Sequence, residues 1–405
     1  MNGTLGNLNV KQQEKLNQLK INLEDILLES HDDHMLLRFL RARSFNLKTT
    51  EVLFRKDVKW KNQMQTSSLS IENSPEVLRK YWPGGCCGFD KEGSPVWIDP
   101  FGKCDLRGLL YSSKASDIFK HNVAILESLY QKMQQQSHKL ESHVEGIIYI
   151  ADMEGFGLHH LWKPGVDVVN RNVALFEQHY PETLKKIFVI NAPTIFPIAY
   201  SLVKPFLQEN TRKKISVLGS NWKETLLKHI DANELPLHWG GEARGQAGDP
   251  NCTHQVMLGG KVPESYYIKD RHLSSQEVLK YELSRGSSLE LKYDVHQPGS
   301  VLRYEFHTKK NDIAFGVQRI AEDGGRVDVL PIQRYNCHMV WEDGEISLQL
   351  PGQYIVIFDN SYSWTKSKKM MYWVELLQPA DEDPDKEPKF QEAVSDSLQD
   401  MDIFE

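Results

Sequence analysis

At 405 residues and 40% hydrophobic, the chain is long enough for two or three domains. No run approaches the roughly 18 uncharged apolar residues that a membrane-spanning helix needs. Ten Asp/Glu and two Lys give residues 381–405 a net charge of −8, leaving the other 380 at +1 of the −7 total, and so near-neutral a body excludes the basic footprint of a nucleic-acid binder.

The opening residues, MNGTLGNLNVKQQ, lack the apolar core of a signal peptide and the Met-Gly start of a myristoylated chain. Five cysteines (Cys86, Cys87, Cys104, Cys252, Cys337) form no CxxC pair, which points to a reducing, cytoplasmic setting. From residue 12 to about 65 the pattern is helical. Leu16, Leu19, Leu23, Ile26 and Leu27 make one stripe. Asp32 or Asp33 caps a second helix carrying Met35, Leu36, Leu37, Phe39 and Leu40, and Val52, Leu53, Val58 and Trp60 continue a third. Arg38, Arg41 and Arg43 close the second helix, where positive charge suits the carboxyl-terminal dipole.

Between about 75 and 241, apolar β-branched runs at 95–99, 146–152, 187–191, 215–219 and 235–239 alternate with helical segments at 114–138, 164–179 and 222–230. Such alternation predicts a mainly parallel sheet covered by helices. Gly84-Gly85-Cys86-Cys87-Gly88 precedes a strand rather than opening a helix after one, so it reads as a turn and not as a phosphate loop. The segment 194–207 fits neither an ordinary surface helix nor a strand. Ile195, Ile198, Ala199, Leu202 and Phe206 form one stripe, and Phe196, Tyr200, Val203 and Leu207 widen it to roughly 200° of arc, against about 100° needed to cover a core. Pro197 and Pro205 bracket it. It is either a fully buried core helix or a lid that faces a hydrophobic cavity or a membrane and can swing.

Residues 240–251, with four glycines and a proline, read as a turn-rich linker. Beyond it, runs at 301–307, 313–317, 353–358 and 370–377 with period-two alternation predict an antiparallel β domain over about 252–380, followed by an acidic tail that reads as disordered.

GxGxxG, GxxxxGK[ST] and GxSxG are missing, leaving nucleotide chemistry and a serine nucleophile without an anchor. His31 with His34, and His159 with His160, are local pairs without matching ligands, so no metal is expected. Cys86 and Cys87 read as packing residues. Asp152 and Glu154 end a strand as candidate acids or as caps of the next turn. No cofactor is expected.

LLRFLRARSF (36–45), YPETLKKIFVINAP (180–193), KPFLQENTRKKISVLGSNWKETLLKHI (204–230) and LPLHWGG (235–241) resemble the CRAL-TRIO lipid-binding family. DIAFGVQR (312–319) and PGQYIVIFDNSYSWTKSKKMMYWVELLQP (351–379) resemble a GOLD domain. The resemblance implies a multidomain protein: an N-terminal α-helical segment (1–70), an α/β lipid-binding domain with a gate helix (71–244), an all-β GOLD sandwich (252–380) and the tail (381–405). It implies non-enzymatic transfer of a phospholipid or neutral hydrophobic ligand, of the phosphatidylinositol, tocopherol or squalene class, with transient membrane contact at Golgi or endosomal surfaces. The gate and cavity lining would comprise Ile195, Phe196, Ala199, Tyr200, Leu202, Val203, Phe206, Leu207, Tyr149 and Trp97. An inositol phosphate would be held by Arg43, Glu182, Thr211 and Lys214. Cys86, Trp97, Ile147 and Tyr149 stand where choline-binding members have Tyr, Tyr, Ser and Thr, which implies a drier pocket. The GOLD resemblance implies a protein partner contacted through Trp364, Lys366, Lys368 and Lys369. Two other readings remain open: a lipid-sensing adaptor that presents phosphoinositide to an enzyme, and a lipid-modifying enzyme.

Overall fold

Leu16, Leu19 and Leu23 share one face of α1 (Val10–Asn22) and are fully buried against Leu36, Leu37 and Leu40 of α2 (Asp33–Ala42) and Phe54 of α3 (Leu47–Met64). In this computed structural model, which describes residues 3–268, 278–335, 337–338 and 341–379, each helix start is fixed by a side-chain cap. Asn9 accepts from the Gln12 amide at 2.9 Å, Asp32 from Met35 at 2.8 Å and Asn46 from Thr49 at 3.2 Å, each meeting one of the donors a helix start leaves open. The expected acidic tail lies outside the described residues.

The α/β unit follows: α4 (Glu76–Tyr81), β1 (Gly85–Phe89), β2 (Pro95–Asp99), α5 (Leu106–Ser112), α6 (Ala115–Leu140), β3 (Ile147–Asp152), α7 (Lys163–His179), β4 (Leu184–Ile190), α8 (Phe196–Val203), α9 (Glu209–Lys213), β5 (Ile215–Val217) and α10 (Trp222–His229). The strands lie in the order β1-β2-β3-β4-β5; β1 runs antiparallel to β2 and the rest are parallel. Side chains alternate between the two faces of a strand. Ile98, Ile148, Ile150, Phe188 and Ile190 point to one face and pack on Leu226, Ile230, Leu235, Trp239 and Val256. Their neighbours Trp97, Tyr149, Ala151, Ile187 and Val189 face the other way.

Two sequence expectations fail here. Residues 235–239 are not a strand: Pro236 has no amide to give a ladder, and Leu237–Trp239 is a 3-10 turn ended by Gly240 at φ 92°. The fifth strand is instead β1, from the glycine-rich stretch read as a turn. A Cβ on Gly85 would lie 1.8 Å from the Gln255 carbonyl oxygen, so only glycine admits the segment that crosses the edge there. That segment also moves the start of the β domain. Val256 and Val262 are fully buried in the α/β unit, and the Ile268 amide donates to Tyr111 O at 2.9 Å. The stretch 252–268 therefore packs on the α/β unit.

The β domain consists of β6 (Leu279–Leu283), β7 (Ser288–Val295), β8 (Ser300–Thr308), β9 (Ile313–Ile320), β10 (Arg326–Tyr335), β11 (Glu342–Leu348), β12 (Gly352–Asp359) and β13 (Lys368–Leu377). These make two antiparallel four-stranded sheets, β10-β9-β12-β7 and β11-β8-β13-β6, facing each other across Phe306, Phe315 and Phe358. The sandwich is docked on the α/β unit. Val301 and Leu377 join Phe156, Leu161 and Ile198 in one buried cluster, with Ile195, Ala199 and Leu202 packed against it. Arg303, 3% exposed, donates to Leu161 O at 2.5 Å, pairs with Glu375 and lies over the Trp373 ring; Arg107 pairs with Asp343 across the same junction. Lys368 is as buried as Arg303 and pairs with Asp312 at 3.2 Å, so it is not the outward contact expected of it. Trp364, by contrast, is 88% exposed.

Candidate functional site

The sheet face opposite Trp239 is only partly covered, with Ile125 and Leu129 of α6 packed on Ile147 and Trp97. Between it and α6, α7 and α8 lies a cavity of about 370 Å³, within the range of small-molecule sites. Its floor is two rows set by the parallel register, Trp97, Tyr149, Ile187 and Ile215 in one and Asp99, Ala151 and Val189 in the next. Ile125, Leu129, Val173 and Phe176 close the helical side, and the lining is overwhelmingly apolar.

Eight of the residues proposed for the lining meet on this wall: Trp97, Tyr149, Phe196, Ala199, Tyr200, Leu202, Val203 and Leu207. Ile195 and Phe206 are placed elsewhere. Ile195 caps α8 and turns toward the sandwich. Phe206 lies in the 3-10 turn Lys204–Phe206, whose tighter winding moves it off the stripe drawn at 100° per residue. The prolines do not break the helix. Pro197 occupies its first turn, where no hydrogen bond is lost, and Pro205 opens the 3-10 turn. Helix α8 thus shows one side to the cavity and another, through Ile198 at 2% exposure, to the sandwich.

A polar cluster sits at the β5 end. Lys214 Nζ pairs with Glu182 Oε2 at 3.0 Å, and Asn210 Nδ2 donates to Glu182 Oε1 at 3.1 Å. Glu182 adopts φ 57°, a left-handed backbone unusual for this residue. Thr211 lines the cavity and bonds Glu177, a buried acid on α7 that also accepts from the Gln208 amide at 3.2 Å. Arg43 ends α2, donates to Ala42 O at 2.9 Å and faces Glu177. The four residues assigned to a headgroup are therefore gathered, with Glu177 between them. Sequence reasoning missed Glu177 because nothing in its helical stripe marks it. Arg38 is bonded to Tyr130 and Thr183, and Arg41 pairs with Glu145 while also feeling the charge of Glu182.

Asp99 was also missed. The Tyr149 hydroxyl donates to Asp99 Oδ2 at the cavity floor. Burial pushes the Asp99 carboxyl up to about 7, the Tyr149 bond opposing and the Asp152 charge adding to the rise. The folded state therefore binds a proton that the unfolded chain has released, from the ordinary range near 3.8 up to about 7. The sign is fixed: this site favours folding at acid pH, and that advantage is lost as pH rises through the window. Asp99→Asn should flatten this decline, as read by urea midpoints across pH. An unchanged slope would show that Asp99 does not titrate there.

The other candidates are structural. Asp152 accepts from Asn191 Nδ2 at 2.8 Å, the Glu154 amide at 3.0 Å and Trp239 Nε1 at 2.9 Å, the capping role rather than the acidic one. Burial raises the Cys86 and Cys87 thiols, so neither is a ready thiolate, and all five cysteines are unbonded. His34, His143 and Glu145 have ligand atoms within 4.8 Å of one another. The two rings are stacked 3.4 Å apart and Glu145 is held by Arg41, so their lone pairs run side by side rather than toward a common point. Among the described residues no helix is long and apolar enough to cross a membrane.

Sequence profiles match two consecutive parts of the chain: the CRAL/TRIO N-terminal domain over residues 8–56 and the CRAL/TRIO domain over residues 79–241. The chain belongs to the CRAL/TRIO family. It is similar to the CRAL-TRIO domain-containing protein T23G5.2 of Caenorhabditis elegans, 31% identical over 332 residues that cover 77% of this chain and 44% of that one. It is also similar to the Protein real-time of Aedes aegypti, 28% identical over 336 residues that cover 79% and 51%. The chain thus spans about half the length of the curated relatives it matches. The crystal structure of Sfh5 shares the fold, at a TM-score of 0.50 and 18% identity, over 64% of this chain and 95% of that one. For the CRAL/TRIO domain the cavity is the feature that suits its family: an apolar volume of this size supports binding of a lipid or other hydrophobic ligand in general.

Proposed function

We propose that the protein is a non-enzymatic carrier that takes a lipid into this cavity and releases it at a membrane, with α8 as the gate. One observation carries the reading: the helix that closes the cavity is apolar toward the cavity and toward the sandwich, so it can line the ligand when shut and touch acyl chains when open. The energetics agree. Each CH₂ moved out of water gains about 0.8 kcal/mol, so a pocket as apolar as a bilayer makes exchange nearly thermoneutral and leaves only a kinetic barrier. Such a carrier would work in the aqueous phase with brief membrane contact.

The cluster Arg43, Glu182, Thr211 and Lys214 suits an inositol phosphate. Arg and Lys give phosphate charge-assisted hydrogen bonds, and a carboxylate accepts from inositol hydroxyls. Thr211, shared by cluster and cavity, supports a lipid with its tail inside and its headgroup at this end. Arg43→Ala and Lys214→Ala should each lower phosphatidylinositol pickup roughly tenfold, the effect of losing one charge-assisted bond, and spare pickup of a neutral lipid. Vesicle pickup assays with both lipids test this. Equal loss of both would remove the headgroup assignment.

A second reading, a lipid-sensing adaptor, is favoured by the contact of α8 with the sandwich, which lets the β domain register the state of the gate. In that reading the β domain is of the GOLD type suggested by 312–319 and 351–379, and it meets a protein partner around the exposed Trp364. Partner activation at fixed lipid, measured beside bulk transfer, separates the two.

A further inference from the structure

Val301 and Leu377 touch α8 from one end of β8 and β13, and Thr308 and Lys368 stand at the other end, about 23 Å along the strands. The loops that follow β6, β8 and β12 meet at this far end. Residues 284–287, 309–312 and 360–369 carry six Lys/Arg and one Asp, a net of +5 on a chain whose total is −7. The acid among them, Asp312, is already held by Lys368 and Arg334. Arg285, Lys309, Lys310, Lys366 and Lys369 are exposed. The first four enter no ion pair among the described residues, and Lys369 reaches Glu282 only at 3.9 Å.

Trp364 projects from the same end. At 88% exposure it is the most exposed large apolar side chain among the described residues. The turn that carries it is braced by Asn360, which is fully buried. Asn360 Nδ2 donates to Ser284 O and to Lys366 O, each at 3.0 Å, and its amide donates to Ser287 O at 2.9 Å. The Lys309 amide donates to Lys369 O at 2.8 Å and the Tyr362 hydroxyl to Asp312 O at 3.2 Å, so the three loops form one platform. An indole held in water on such a platform needs little further ordering when it meets a surface.

The chemistry of that surface follows from the two kinds of side chain. An indole settles where lipid headgroups meet acyl chains, its ring dry and its N–H wet. Lysines on long flexible stems suit mobile anionic headgroups, whereas lysine is depleted from protein–protein interfaces. Together they match an anionic leaflet better than a folded partner.

We propose that this end of the sandwich is a docking surface for anionic lipid bilayers, with Trp364 among the headgroups and Arg285, Lys309, Lys310, Lys366 and Lys369 facing their charges. The contact is separate from α8 and from the cavity. It brings the protein to a membrane while the sandwich stays seated on the gate.

The test mixes the full chain with phosphatidylcholine vesicles, with and without phosphatidylserine, and measures bound protein by sedimentation. Binding to the anionic vesicles is expected to exceed binding to the neutral ones at least tenfold, roughly, and to weaken as salt is raised. Each basic residue at an anionic surface is worth roughly fivefold in affinity. Lys309→Ala with Lys310→Ala should therefore lower binding roughly twentyfold, and Trp364→Ala about tenfold. Lys223→Ala with Lys228→Ala, the same loss of charge on exposed positions of α10, should change it less than about threefold, because charges beyond the contact are screened. Equal binding to both kinds of vesicle overturns the proposal. So does wild-type binding by the Trp364 and Lys309/Lys310 variants, which would place the contact on α8 or elsewhere. An equal loss in the α10 pair would reduce the effect to net charge and overturn it as well. A chain that ignores both vesicles leaves Trp364 to a protein partner, and the proposal falls.

Discussion

Phe196→Asp is expected to reduce lipid exchange between vesicles at least tenfold while the protein stays folded. Phe196 opens α8, lines the cavity and stacks on Tyr200 with ring centroids 6.1 Å apart. It is half-buried, so most of what it loses on substitution is ligand contact rather than core packing. A carboxylate there must either enter an apolar cavity or follow the helix into lipid, and an unpaired charge costs several kcal/mol in both places. Without ligand the carboxylate at this half-exposed position can stay hydrated, so the fold should feel less than about 1 kcal/mol, as usual for a site outside the core. Exchange of a fluorescent lipid between donor and acceptor vesicles, beside a thermal melt, reads both quantities. Full exchange by a folded Phe196→Asp protein would mean that α8 is not the gate.

Leu377→Asp should act in the opposite direction and speed release of bound lipid about tenfold or more. Leu377 ends β13 and, with Val301, covers Ile198 on the outer side of α8. Ile198, 2% exposed, is buried in the cluster that these two residues of the sandwich share with Phe156 and Leu161. Full burial of an isoleucine contributes about 1.5–3 kcal/mol, and that share of the closed state's advantage is lost when the sandwich lifts off. One tenfold step corresponds to about 1.4 kcal/mol. The half-time for release of a preloaded fluorescent lipid is the measurement, with hydrogen exchange at Val301 and Leu377 reporting undocking. Undocking without faster release would show that the sandwich rests on the gate without holding it.

The fold was legible in the sequence where an element carries a dense apolar stripe or run, as in β9 and β12, and illegible elsewhere for definable reasons. In the sandwich the four anticipated strands, β8, β9, β12 and β13, are the inner ones of the two sheets, and the four missed, β6, β7, β10 and β11, are the edges. Edge strands such as Arg326–Tyr335 are exposed along most of their length and carry Arg, Asp and Gln where an inner strand carries apolar residues. β1 was missed because glycines that serve a close backbone crossing look like those of a turn.

The cavity was harder. In Ile147–Asp152 both faces are apolar, so the sequence cannot say which residues press on Trp239 and which line a void. Asp99 breaks that uniformity within β2 and was the available signal. Arg43, Glu182 and Lys214 lie far apart along the chain, and no spacing rule joins them; the family resemblance did. The two-sided character of 194–207 was readable, but its ends were not, since Pro205 changes the winding just where Phe206 would have continued the stripe.

The pinning of Ile268 to Tyr111 has a further consequence. From there to Leu279 the chain can span at most about 40 Å even if fully extended. A sandwich that lets go is therefore kept on a short leash, at an effective local concentration in the millimolar range, and recapture is intramolecular. On the carrier reading proposed above, bonds too feeble to unite two separate proteins would then be enough to keep α8 shut. A membrane or partner competing for the sandwich would have to overcome only those bonds to free the ligand.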